Sequence, residues 1–263
     1  MIAPQSAPLL LRLSDAAAVM TLAAVAASLL LSDPFAAVPE ALRPGAWSQD
    51  TISAPAGLAL LLVNWHLRQG WGKGWLIWAG LVGYLIYAYG LYSFDRVMNP
   101  AYPLYLAVLA SSVLAAVLFV RAVDPASLRA AASPPPRRSV AVLFGLLVVL
   151  FTALWLAQLL PAMAARQPLP GQTIFTLDLA FALPLTALSA VALWRAHPVG
   201  DLLAIPMLMK VAVLGVSVFL GTFYGWAFFG GPFKPFDLAL YALMGFGPAL
   251  LIWPVWRGLD VVS

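Results

Sequence analysis

The segments TIFTLDLAFALPLTALSAVALW (Thr173–Trp194) and LLAIPMLMKVAVLGVSVFLGTF (Leu202–Phe223) decide the class of this chain. Each matches the roughly 20 apolar residues that a helix needs to cross the hydrocarbon layer of a bilayer. Each also carries one ionisable residue well inside it, Asp178 in the first and Lys210 in the second. Almost every other charge lies between apolar segments. A charge at mid-bilayer costs roughly 2.5–3.5 kcal/mol on insertion scales, so both side chains are expected to face a helix-bundle interior.

Composition points the same way. The chain has 263 residues, of which 63% are hydrophobic and only 9% charged. Soluble domains carry about 25% charged residues, and a soluble chain of this size would need a wetted surface that is missing here. There is no cysteine, which excludes disulfides, thiolate nucleophiles and cysteine metal sites. No basic, aromatic-interleaved stretch suggests a nucleic-acid partner. Lipid is the expected surrounding.

Working outward from the opening pair, further apolar segments follow at Thr51–Leu67, Gly74–Phe94, Ala101–Val120, Val140–Ala165 and Leu238–Trp256. Ala16–Leu31 precedes them, with only Arg12 and a nearby Asp15 before it. That is a weak charge signal for a cleaved leader, so a retained span is expected. The predicted fold is an all-α polytopic membrane bundle of about eight transmembrane helices. It forms a single integral membrane domain over residues 1–263. Two four-helix groups are joined by the linker RAVDPASLRAAASPPPRRS, residues 121–139. Asp33–Asp50 holds Pro34, Pro39 and Pro44 and reads as a loop with a short surface helix over the outer mouth.

With eight spans, alternate loops share a side. One set holds Arg12, Arg68, Lys73, Arg121, Arg129, Arg137, Arg138, Arg195 and Arg257. The other holds Arg43, Arg96, Arg166 and Lys234. The positive-inside rule places the richer set in the cytoplasm, with both termini. The expected location is the cytoplasmic (inner) membrane, as a multi-pass protein.

Trp71, Trp75 and Trp78 share a helical face beside Arg68 and Lys73 and read as an interfacial anchor. Six tyrosines fall in YLIYAYGLYSFDRVMNPAYPLY, Tyr84–Tyr105. Those near the span end suit an interface, where the ring meets lipid and the hydroxyl meets water. Tyr84 and Tyr87 lie deeper, on one face, and could line a vestibule. The runs YLIYAYGLYSF and NPAYPLYLAVL, with LDLAFALP and LWRAHPVGDLLAIPMLMK, resemble a group of bacterial polytopic membrane proteins of no assigned activity. The resemblance implies a shared fold and carries no catalytic motif.

Asp178 is the natural partner for Lys210, although the two Cα atoms should differ in depth by on the order of 10 Å. The ligand-binding candidates are therefore Asp178, Lys210, Tyr84 and Tyr87, with Asp95 and Arg96 at the outer end of the third span. A purely structural contact between helices is the competing reading of Asp178 and Lys210. Asp95 and Arg96 equally fit a solvated boundary. Pro184 and Pro206 each remove a backbone hydrogen bond within a span. His66 and His197 fit packing better than metal binding. No phosphate loop, metalloprotease helix or nucleophile elbow is present. The functional expectation is a small-molecule or ion binding or transport protein. A membrane enzyme acting on a lipid-soluble substrate and an accessory subunit of a larger complex are the alternatives. No metal is indicated, the sequence does not identify any cofactor, and a homo-oligomer is left open.

Overall fold

A computed structural model describes residues 1–95 and 97–261. Eight helices account for most of them: α1 Ala7–Leu30, α2 Arg43–Arg68, α3 Trp75–Phe94, α4 Tyr102–Ala122 and α5 Arg137–Ala165. The remaining three are α6 Gln172–Trp194, α7 Pro198–Ala227 and α8 Pro235–Arg257. Proline occupies the first turn of α1, α2, α4, α7 and α8. It costs no bond there, because first-turn amides have no intrahelical acceptor. Two left-handed residues bracket the turn between α5 and α6, Arg166 at φ 55° and Gly171 at φ 72°.

Seven helices are long and apolar enough to cross a membrane. The exception is α2, which carries Gln49, Asp50, Ser53 and Asn64 along its buried side. Chain ends supply the count for α2. Ile2 bridges to Val123. Strand β1 (Leu128–Ala130) pairs antiparallel with β2 (Leu259–Val261), matching Leu128 with Val261 and Ala130 with Leu259. The Lys73 ammonium donates to the Leu259 carbonyl. Residues near both ends of the chain therefore meet the 121–139 linker at one end of the bundle. Only an even number of passes along the bundle achieves this, so α2 also runs from one end of the bundle to the other. The architecture is an all-α helical bundle, as expected.

Helices α1 to α4 pack on one another, and α7 joins them by packing against α2 and α3. The other faces of α7 meet α6 and α8, and α5 covers α6. Leu146 and Val149 of α5, with Leu243 and Leu250 of α8, point outward as an apolar surface suited to lipid.

Two expectations are corrected. The polar stretch ends earlier than Asp50, because α2 begins at Arg43 with Pro44 in its first turn. Gln49 and Asp50 are thus helical and buried. The three tryptophans do not form an interfacial belt either. Trp78 is fully buried and Trp75 nearly so. The Trp78 indole N–H donates to Ser14 Oγ at 2.9 Å, and its ring stacks near Trp75 and Phe119. An indole can enter a core only where its N–H finds an acceptor, and Ser14 provides one. Only Trp71 stays half-buried, beside His66 and Trp256.

Candidate functional site

Asp178 sits where α6 changes its winding. Residues Gln172–Leu177 are α-helical, Asp178–Ala182 form a π turn, and α-helix resumes at Leu183. The Leu183 amide reaches back to the Asp178 carbonyl, a five-residue step. Pro184 follows, and having no N–H it cannot restore the ordinary four-residue ladder. One extra residue in the turn swings the Asp178 side chain inward; such bulges recur at functional sites.

Across from it, Lys210 projects from α7. Its ammonium lies 3.7 Å from Asp178 Oδ1. That is an ion-pair distance but longer than a hydrogen bond. Tyr87 of α3 lies beneath the ammonium, with its ring centre 4.5 Å from Nζ. A cation over a ring face gains roughly 0.5–2 kcal/mol, the upper figure applying when water is excluded. Trp155 of α5 donates its indole N–H to Asp178 Oδ2 at 2.9 Å. Asp178 Oδ1 is buried and has no hydrogen-bond partner among the described residues.

Four helices therefore converge on one centre, and two small residues of α3 let them do so. A methyl at Gly80 would stand 2.8 Å from Met209 Sδ, and one at Gly90 would stand 3.3 Å from Leu177. Met209 and Leu177 each precede a charged member of the pair. Close approach at these glycines draws α6 and α7 onto α3 at the right height.

The other candidates lie elsewhere. Tyr84 turns to α2, where its hydroxyl accepts from Gln49 Nε2 at 2.9 Å and lies 3.0 Å from Ser53 Oγ. Ser217 of α7 reaches the same network, 3.4 Å from Gln49 Oε1 and 3.3 Å from Ser48 Oγ. Asp95 caps the end of α3, its amide bonded to the Leu91 carbonyl, and is partly exposed. Arg96 lies outside the described residues. His66 packs between Trp65 and Trp71, and His197 Nδ1 accepts from the Val199 amide at the start of α7. Concavities of about 400 Å³ beside His66 and Trp71, and of about 310 Å³ beside Leu159 and Arg166, are lined by neither Asp178 nor Lys210.

Two buried carboxyls lie outside the sequence candidates: Asp201 of α7, paired with Arg137 of α5 at 2.6 Å, and Asp50. Asp50 of α2 is 5% exposed, and its Oδ1 lies 2.8 Å from the Tyr92 hydroxyl. The prolines before it suggest a loop. The signal that reveals it is the helical repeat of Gln49, Ser53, Ala56, Leu60, Val63 and Leu67, which runs unbroken through the boundary.

The fold and these buried charges define an integral, multi-pass membrane protein of helical-bundle type. No family model, curated protein or solved structure matches the chain.

Proposed function

We propose that this protein binds a small polar molecule or ion between α3, α6 and α7, and carries it across the cytoplasmic membrane. The observation that carries the reading is the open pairing of Lys210 with Asp178. A pair serving only to hold helices together would close to hydrogen-bond contact, since each unmet polar atom in the bilayer is costly. Here Asp178 Oδ1 has no partner at hydrogen-bond distance among the described residues, and it stands 3.7 Å from an ammonium with three donors, with the Tyr87 side chain beside both. A ligand offering both a donor and an acceptor would satisfy both groups once the pair parts. The Tyr87 ring floors the ammonium, and Trp155 fixes the orientation of the carboxylate. The π turn at Asp178 gives α6 a point where a small change of winding would alter the pair.

The test is thermal unfolding of the purified protein with alkali cations, inorganic phosphate, small carboxylates and amino acids. One of these should raise the unfolding midpoint of the wild type but not that of Lys210→Met or Asp178→Asn. An equal shift in all three proteins, or in none, refutes the reading.

A further inference from the structure

A buried carboxyl outside the Lys210 centre, Asp50 of α2, presents a hydrogen-counting problem. The Tyr92 hydroxyl lies 2.8 Å from Asp50 Oδ1 and 2.9 Å from the Ala46 carbonyl oxygen. A phenol has one hydrogen, whereas an ionised carboxylate and a carbonyl can only accept. With Asp50 ionised, that one hydrogen serves one oxygen, and the other sits at hydrogen-bond distance with no proton between. Asp50 Oδ2 adds to the deficit, being buried with no partner among the described residues. Asp50 also takes part in none of the ion pairs among the described residues.

The surroundings supply hydroxyls and rings rather than charge. Tyr84, Tyr89 and Tyr92 of α3 and Tyr105 of α4 are the titratable groups facing Asp50, and α1 brings the hydroxyl of Ser28. On α7, Ser217 is held against Gln49 and the Tyr224 hydroxyl against Thr51, the two neighbours of Asp50 in sequence. The rings of Tyr89, Tyr92 and Tyr105 stack within 5.0–5.9 Å of one another. Tyr89 and Tyr105 are fully buried and Tyr92 nearly so, so the three rings screen Asp50 from solvent on that side.

We infer that Asp50 is a proton-binding site: the carboxyl is protonated, donates to Tyr92 Oη, and Tyr92 passes its own hydrogen to the Ala46 carbonyl. One added proton completes the chain from Asp50 to Tyr92 to Ala46. It also removes a bare charge from the bundle interior. The inference does not depend on the Lys210 reading, because the two centres share no residue.

Infrared spectra of the whole protein in lipid nanodiscs at pH 5, where an ordinary aspartate is ionised, test it. The difference between wild type and Asp50→Asn should contain the carbonyl stretch of a protonated carboxylic acid, and this band should shift in heavy water. In Tyr92→Phe the same band should persist at higher frequency, having lost its acceptor. This second variant keeps the test valid if Asp50→Asn folds poorly. Symmetric and antisymmetric carboxylate bands in either difference spectrum would overturn the inference. So would carboxylate bands that appear in sodium buffer and vanish when a bulky organic cation replaces sodium, since Asp50 would then bind an alkali cation.

Discussion

Gly215 of α7 and Gly245 of α8 touch backbone to backbone: a methyl placed on Gly215 would stand 2.5 Å from the Gly245 amide nitrogen. The obstacle is main chain, which cannot swing aside as a side chain can. Gly215→Ala should therefore push α8 outward and destabilise the protein by about 1–3 kcal/mol, the usual cost of overpacking. Gly83 has nothing within 4 Å of the same probe position. Gly83→Ala should be neutral or stabilising by up to about 1 kcal/mol, from helix propensity alone. Thermal unfolding of the two variants in detergent checks the contrast.

Removing one member of the Lys210–Asp178 pair leaves a buried charge without its partner. Asp178→Asn and Lys210→Met should each cost on the order of 3–5 kcal/mol, and the double variant should cost less than their sum. A double-mutant cycle on unfolding midpoints measures the coupling. Strict additivity would mean that the two charges do not act together.

The absence of cysteine gives a clean background for mapping orientation. Ser133 lies in the linker at the end where β1 meets β2, and Gln167 lies in the exposed turn between α5 and α6. In intact cells a membrane-impermeant maleimide should label Gln167→Cys. Ser133→Cys should react only after permeabilisation. The reverse pattern would invert the assignment made from loop arginines.

Trp78 is tied to Ser14, which also accepts from Asn64 Nδ2 at 2.9 Å. Asn64 continues to Asp15 Oδ1 at 2.7 Å. Trp78→Phe should cost about 1 kcal/mol for the lost hydrogen bond, and more for the void left behind. Trp65 is 55% exposed and faces outward, so Trp65→Phe should stay within roughly 0.5 kcal/mol of wild type. Equal effects at both positions would contradict the inward placement of Trp78.

Spans were legible because a run of about 20 apolar residues is a local signal that needs no knowledge of the partner. Asp178 and Lys210 stood out for the same reason, as lone charges inside such runs. Tyr84 and Tyr87 looked equivalent, but one serves α2 and the other lies beneath Lys210. Which helix stands beside which face is a property of the assembled bundle, not of the i, i+3 spacing. Trp78 resembles an anchor in sequence because its acceptor, Ser14, lies two helices away. Asp50 was hidden by upstream prolines, which break helices in their interiors yet are harmless in a first turn.

The pairing of Leu128–Ala130 with Leu259–Val261 has a consequence for biogenesis. Strand β2 follows α8, so β1 has no partner until α1 to α8 have been translated. A nascent chain stalled before Leu259 would leave β1 as an open edge, readable by proteases and quality-control factors.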